Sequence, residues 1–489
     1  MTNETVISDV FDPRRWGLSS QAIADLGNRL RDFWSRYRTC FKTKTRDASE
    51  HAWTYLRGLL SMNSKRNFAN IARRVIDPDD DGQKVQHFMS DSPWLAQTPI
   101  QQVQREIAMT PALATGGVLI LDESPDEKAG PKSAGAGRQH NGRLGKVEMS
   151  QVGTFLAFYK EPVWTWVDGE LFLPEHWFAP ERAEERQRVG IPPERRFATK
   201  IELGWRMIQR VKANGLPFEA VACDDLYGRS GWLRHQMDAA GIVYMAEVPE
   251  NTQVYLTRPD FGVPPLAPGQ RGSKPPRPQV LSADPPVEVR QLVRRPELSF
   301  QRFCVRHTER GELDDPFAMR RVWTIRDGEL AEEWLVIRHE YSHRYTYALS
   351  NASAVTPPER LAWLKCVRHF VERCNQDAKS EAGWDELQAQ KYRAWEHHLA
   401  LNIMATWFVA QTKLEWADTY ARDPQLAEQM HVEALPRLSV ANVRELLQAV
   451  MPLPRLSPEQ ATRLVVKHLV NRSRSTRSRR QVQRRAQGP

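Results

Sequence analysis

"TGGVLILDES", residues 115–124, decides the fold. Val118 to Leu121 is an unbroken apolar run that ends in an acid. A strand buried on both faces reads this way, whereas a half-exposed strand alternates. "FEAVACDDLYG" (218–228) repeats the pattern, apolar run then acid, and "GIVYMAEVP" (241–249) is a third strand. Between the first two lie "VEMSQVGTFLAFYK" (147–160) and "PVWTWVDGELFL" (162–173), expected as strands, the second bending at a turn on Asp168-Gly169. "KIELGWRMIQRVKANG" (200–215) has helical spacing and is closed by Gly215. Three strands followed by alternating helix and strand predict an α/β fold, a mixed sheet with helices on its faces.

Upstream, residues 1–110 read as a helical domain. "SSQAIADLGNRLRDFWSRY" (19–37) starts at a Ser cap, and "DASEHAWTYLRGLLSM" (47–62) leads through the turn "NS" into "KRNFANIARRVI" (65–76). Two short helices across a tight turn suit a helix-turn-helix-like DNA reader. Its candidate contacts are Lys65, Arg66, Arg73 and Arg74, although most helical hairpins bind no DNA. Residues 111–250 form the first part of the core. Residues 251–354 are a β-rich insertion that opens on the Pro-rich stretch 261–287, expected to be an extended loop. Its strand candidates are "VEVRQLV", "FQRFCVRH", "MRRVWTIRDGELAEEWLVIRHE" and "RYTYALSN". Residues 355–455 return to helix as the second part of the core.

The chain has 489 residues, enough for two or three domains, and 41% hydrophobic content with 16 Trp indicates a folded protein. No run of eighteen apolar residues suggests a membrane span. The N-terminus lacks a signal-peptide pattern. The five Cys are odd in number and form no CxxC, which argues against a disulfide framework or a zinc site and fits a reducing cytosol. A net charge of +9 leans toward a polyanionic partner. After Glu459 no acid follows, and "NRSRSTRSRRQVQRR" (471–485) carries seven Arg. Residues 456–489 are therefore expected to be a disordered basic tail able to hold phosphates without reading sequence.

The segment "CVRHFVERCNQDAKSEAG" (366–383) reads as one helix. Val367, Phe370, Val371, Cys374 and Ala378 fall within about 100° of arc as a packing stripe. Arg368, Glu372 and Lys379 fall within about 40° of one another on the opposite side. Surface pairing at i,i+4 is the plain explanation of such a row. Asp122 and Asp224 supply another, since ligands gather beyond the carboxyl ends of strands in open α/β sheets. Two acids there, joined by Glu372, would make an all-oxygen site suited to Mg²⁺ or Mn²⁺. Acids after strands are also common helix caps, and spacing alone does not prove that the three converge. Thr199 and Lys200 read as a helix cap. Lys128, Lys132, Arg138 and Lys146 read equally as DNA contacts or solvated loop charges. Trp323 and Trp334 flank an Asp327-Gly328 turn at core-strand spacing. His397 and His398 read as satisfied core histidines.

"LDESPDEKAGPKSAGAGRQHNGRLGKVEMSQVG" (121–153), "VACDDLYG" (221–228) and "RHFVERCNQDAKSEAGWDE" (368–386) resemble, in order, the three acidic blocks of DDE-type insertion-sequence transposases. The likeness is to the branch bearing the Y-R-E-K signature, in particular insertion-sequence family seven-zero-one. It runs from "YLRGLL" (55–60) to "WEHHLAL" (395–401). Arg368, Glu372 and Lys379 fit the last three signature positions, and Lys365 stands where the family has Tyr. The resemblance implies a ribonuclease H-like core interrupted by a β insertion. It selects Asp122 over Glu123 and Asp126, and Asp224 over Asp225. With Glu372 these would hold two Mg²⁺ or Mn²⁺ ions, Asp122 bridging both. Arg368 and Lys379 become phosphate clamps, with Lys365 as a substitute cation. The Trp of the insertion become candidates to stack on a flipped base.

The function implied is a transposase acting on double-stranded DNA. It would bind terminal inverted repeats, cut at the element ends and join the 3′-hydroxyl to target DNA. A homodimeric synaptic complex and a cytoplasmic, nucleoid-associated location follow. Two alternatives stand beside it. One is a catalytically silent DNA-binding regulator, and the other is a same-fold nuclease not engaged in transposition.

Overall fold

The computed structural model describes residues 10–63, 65–141, 145–264, 277–308, 311–341, 344–454 and 456–486. Part of the Pro-rich stretch, 265–276, lies outside the described residues. The central strands are β1 (Val118–Glu127), β2 (Gly137–Asn141), β3 (Lys146–Lys160), β4 (Val163–Leu171), β5 (Ala220–Cys223) and β6 (Val243–Val248). β1, β5 and β6 are mutually parallel, while β3 is antiparallel to β1 and β4 to β3. The strand order through this part is therefore β4-β3-β1-β5-β6, with β2 also paired to β3. Leu119, Ile120 and Leu121 are fully buried, as their unbroken apolar run requires.

The β-rich segment does not stand apart from this sheet. After the two-residue strands β7 (Gln253–Val254), β8 (Phe261–Gly262), β9 (Gln279–Val280) and β10 (Val287–Glu288) come β11 (Gln301–Thr308), β12 (Gly311–Arg326), β13 (Glu329–His339) and β14 (Tyr345–Ser350). β14 adds antiparallel to the edge of β6, and β13, β12 and β11 follow outward, giving a ten-stranded sheet among the described residues. This wing has its own small core of Val254, Val289, Val322, Leu335, Ile337 and Leu349. The β12–β13 hairpin turns on Asp327 (φ +50°) and Gly328 (φ +81°), the two left-handed residues that a tight right-twisting hairpin needs. "VEVRQLV" is not the expected strand. Only Val287–Glu288 pair, and Val289–Leu292 turn into a short helix.

The N-terminal helices are α1 (Ser20–Tyr37), α2 (Ser49–Ser61), α3 (Phe68–Val75), α4 (Gln83–Ser90) and α5 (Gln97–Met109). On the sheet lie α6 (Lys200–Ala213) and α7 (Gly231–Ala239), followed by α8 (Pro358–Val367), α9 (His369–Gln376), α10 (Tyr392–Thr419), α11 (Val440–Val450) and α12 (Pro458–Ala486). α10 is apolar all round and buried for most of its length. α2, α4, α5 and β4 all pack on it, so the N-terminal helices share one hydrophobic core with the sheet. His397 and His398 lie inside that core. His397 bridges the carbonyls of Met89 and Trp94, and His398 meets the Tyr55 hydroxyl and the Trp384 carbonyl. Among the described residues no helix is long and apolar enough to cross a membrane.

Three local expectations are corrected. Asp168-Gly169 is not a turn. β4 continues through it with a β-bulge at Val167, and the fully buried Asp168 accepts from Arg210 of α6 (2.7 Å) and from Gln97 (3.2 Å). A long-range ion pair outweighs the local turn tendency there. The α2–α3 connection is Met62 to Asn67 and not the two-residue "NS". The basic tail is not disordered: α12 is a 29-residue helix, exposed along most of its length.

Candidate active site

β1 and β5 pair in parallel from Val118↔Ala220 to Leu121↔Cys223. The next residue on each strand is Asp122 and Asp224. β1 itself does not end at Asp122, because its antiparallel pairing with β3 continues to Glu127↔Ser150. The two aspartates thus stand at the fork where β5 leaves β1. One oxygen of Asp224 caps the short turn that follows, accepting from Leu226 N (3.1 Å) and Tyr227 N (3.4 Å). That turn lies hard against β6. A Cβ on Gly228 would come within 1.8 Å of the Glu247 carbonyl oxygen, so only glycine permits the approach. Asp122 Oδ1 accepts from Glu123 N (2.8 Å).

Burial, and after it the Asp224 carboxylate, pushes the Asp122 carboxyl up to about 7. Burial, and after it the Glu123 carboxylate, pushes Asp224 up to about 6. Two carboxyls so raised at one fork mark a local deficit of positive charge. Lys200, at the start of α6, meets part of it by pairing with Glu123 (2.8 Å), while Glu123 Oε2 is buried without a hydrogen-bond partner. The capping box of Thr199 and Glu202 fixes that helix start.

Arg368 supplies the nearest strong cation. It pairs with Glu247 Oε2 (3.1 Å) and lies 3.7 Å from Glu372 Oε1. Burial works against its charge, but the carboxylates of Glu247, Asp122, Glu372 and Asp224, in falling order, hold its pKa above the ordinary guanidinium value. The expected single helix over 366–383 is split at this residue. The α8 ladder ends at Val367 and α9 begins at His369, although Arg368 keeps right-handed helical backbone (φ −52°, ψ −32°). A π-helical turn, Asp377–Glu381, follows α9. Such wide turns recur at functional sites and rotate what comes after them. Lys379, on that turn, donates to the Pro125 carbonyl of β1 (3.0 Å).

The structure brings Asp122 and Asp224 together but leaves Glu372 with its side chain 58% exposed. Glu372 lies 3.7 Å from both His369 and Arg368, and the His369 hydrogen bond heads the causes that hold its carboxyl below the usual range. Among the described residues no three His, Cys, Asp or Glu side chains stand close enough to hold a metal ion. The expected packing stripe is present, with Val367, Val371, Cys374 and Ala378 buried. The donor chemistry of the fork suits a hard divalent cation, because both carboxyls are raised and their neighbours are carboxylates. Glu372 is joined to that fork through Arg368.

Two expected DNA contacts are interior. Lys365 is 3% exposed and donates to Glu247 Oε1, so its charge is satisfied inside the protein. Arg66 is 1% exposed and binds the carbonyls of Met62 and Glu381 and the carboxylate of Glu386. Lys65 and Arg74 are exposed, and Arg73 is half-buried. Of the loop cations, Lys128 pairs with Asp126 and Lys146 with Glu148, while Lys132 and Arg138 are exposed. Trp323 and Trp334 are half-buried under the guanidinium groups of Arg258 and Arg321, each 5.2 Å from the ring centre. Glu247 was not among the expected site residues. It ends a strand in "YMAEVP" just as Asp122 and Asp224 follow theirs, so the same signal was available for it.

A parallel β1–β5 pair with two acids at its fork, on a sheet flanked by helices, is consistent with a DDE-type nuclease fold. The family model described as "DDE superfamily endonuclease" matches residues 36–312, more than half of the chain, and the chain belongs to that family. The matched span contains Asp122 and Asp224, and Glu372 lies beyond its end. The chain is also similar to the probable transposase for insertion sequence element IS701 of Microchaete diplosiphon, at 28% identity over 189 residues. That alignment covers 37% of this chain and 44% of the relative, so the chain matches less than half of the relative's length.

Proposed function

We propose that this chain is a DNA transposase. It binds the terminal inverted repeats of its insertion sequence, hydrolyses the phosphodiester at the element ends and joins the freed 3′-hydroxyl to target DNA. The observation that carries the reading is the placement of Asp122 and Asp224 side by side at the β1–β5 fork. The strand order β4-β3-β1-β5-β6 supports a ribonuclease H-like core. The named relative, itself a probable transposase, supports the reaction class.

Asp122 and Asp224 would hold Mg²⁺ or Mn²⁺, and Glu372, joined to the fork through Arg368, would supply the third carboxylate on closing toward them. When bound, two such ions activate the attacking oxygen and stabilise the leaving one. Arg368 keeps the acids from repelling one another and presents a guanidinium to the scissile phosphate. Lys379, held to the end of β1, adds a second cation along the same strand. Joining two ends in one event calls for a homodimeric complex with DNA.

The test is Mg²⁺-dependent nicking of a plasmid that carries the inverted repeats flanking the gene. Glu372→Gln is expected to abolish nicking and leave end binding intact. Nicking at the parental rate removes Glu372 from the site. Binding without nicking by the unmodified chain favours a DNA-binding regulator, and nicking without preference for the repeats favours a plain nuclease.

A further inference from the structure

We propose that α12 is a duplex-DNA arm, a helix that enters the major groove and grips phosphates on both walls. The inference rests on the reading above in that its partner is DNA. It adds a binding surface remote from the acids.

α12 carries no acid after Glu459, and Arg472, Arg474, Arg477, Arg479 and Arg480 are all exposed. Among the described residues none of the five guanidinium groups makes an ion pair. At 100° per residue they spread over roughly 220° of the helix circumference. The remaining arc of roughly 140° carries Ser475 and Ser478, so this stretch offers no apolar face to pack on protein. A flat anionic surface would be matched by a single stripe, but a groove with phosphates on both walls matches a wide arc. The major groove of B-form DNA admits one α-helix. Residues 472–480 rise about 12 Å, the length of roughly three to four base pairs. Arg474, Arg477 and Arg480 follow one another at i,i+3, so each pair repels by a few tenths of a kcal/mol until anions arrive.

The root of the helix fixes where the arm starts. Lys467 Nζ donates to the Asp79 carbonyl (2.8 Å), and Arg463 lies 3.5 Å from the Asp79 carboxylate. Asp79 is in the loop between α3 and α4, a few residues past Arg73 and Arg74. The arm therefore leaves the body beside the helical hairpin that the sequence nominates as a DNA reader, and one duplex reaches both. Ser and Gln between the arginines add neutral donors suited to phosphate oxygens.

The experiment compares the full chain with a variant carrying Arg472→Gln, Arg474→Gln, Arg477→Gln, Arg479→Gln and Arg480→Gln, changes that keep helix propensity. Binding to a duplex is measured by fluorescence anisotropy from 50 to 200 mM salt without Mg²⁺, so catalysis plays no part. Each lost phosphate contact reduces the salt slope by about 0.9. Five lost contacts make the parent lose about 500-fold more affinity than the variant across that range. Bound duplex is also expected to protect residues 472–480 of the parent from trypsin. An unchanged slope with DNA binding retained, or cleavage of the arm unaffected by DNA, overturns the inference.

The exposed apolar stripe at the root (Val465, Val466, Leu469 and Val470) points to a rival occupant, a second copy of the chain. A change in molar mass by sedimentation with no change in slope gives the arm to that role and overturns the inference. Binding without Mg²⁺-dependent nicking sinks the transposase reading and leaves the arm standing.

Discussion

Glu247 holds two cations at once, and replacing it tests the architecture of the site without touching Asp122, Asp224 or Glu372. Its Oε1 meets Lys365 and its Oε2 meets Arg368 at 3.1 Å. Burial works to raise its pKa, but Lys365 and then Arg368 hold the carboxyl below the usual range. Glu247→Gln leaves the Lys365 ammonium, 3% exposed, beside a neutral amide. Breaking a buried pair from one side costs about 3–5 kcal/mol. The Glu247 side chain is 22% exposed, so water screens part of this and the lower end, about 3 kcal/mol, is expected. Lys365→Met leaves Glu247 with Arg368 and costs less than half as much. The double variant removes both buried charges and is expected to recover to within about 1 kcal/mol of the parent. The assay is urea unfolding of the metal-free protein at neutral pH, with midpoints compared at common slope. A loss of about 0.5 kcal/mol or less for Glu247→Gln, the range of ordinary surface changes, refutes the reasoning. So does a double variant as unstable as Glu247→Gln alone.

The interior and exposed cations of the N-terminal hairpin separate in the same way. Arg66→Ala removes the bonds to Met62, Glu381 and Glu386 and is expected to cost about 3 kcal/mol of stability. Lys65→Ala and Arg74→Ala are expected to stay within about 0.5 kcal/mol and to weaken duplex binding, read by anisotropy. Equal stability for all three would return Arg66 to the surface. The fork predicts a pH dependence as well. Burial pushes the Asp122 and Asp224 carboxyls up to about 7 and about 6, well above the ordinary carboxyl range, so folding favours their protonated forms. That stability is fully present below about 4 and is lost as pH rises through 6 to 7 in metal-free protein. Asp122→Asn is expected to flatten the loss. Because a cation must displace those protons, Mg²⁺ is expected to raise the melting temperature more at pH 8 than at pH 5.5. Equal shifts at the two pH values, read by scanning calorimetry, go against metal binding at the fork.

How much of this was legible in the sequence depended on whether the deciding contact was local. The parallel strands were legible because Val118–Leu121 and Ala220–Cys223 are apolar on both faces, a pattern no exposed strand shows. The fork acids were legible because each follows such a run. Asp168 was not, since the turn tendency of Asp-Gly is written in two adjacent residues and its partner Arg210 lies 42 residues away. Arg66 resembles its neighbours Lys65 and Arg73 in every local respect, and only the distant Glu381 and Glu386 mark it as interior. The tail was misread for a different reason. Lack of a core was equated with lack of structure, yet Arg and Gln are good helix formers and need no core to favour that backbone.

Lys365 ties these points together. At the position where the Y-R-E-K signature has Tyr, a cation looks like an extra hand for DNA. Lys365, 3% exposed and met by Glu247, is shut away from a phosphate, whereas the Arg368 side chain keeps 27% of its surface open. The same carboxylate steadies Arg368, so the departure from the signature is absorbed by one acid on β6. What remains around the fork is acidic, with Asp122, Asp224, Glu123 and Glu372 set against Arg368, Lys379 and Lys200. A polyanion approaching it is repelled unless divalent cations fill the fork and other positive charge holds the duplex nearby. In the proposed arm, the exposed arginines of α12, which make no ion pair among the described residues, supply that second requirement from a surface remote from the fork. On this reasoning, charge removed from the arm weakens the encounter with DNA, and charge removed from the Glu247 network weakens the fold that carries the acids.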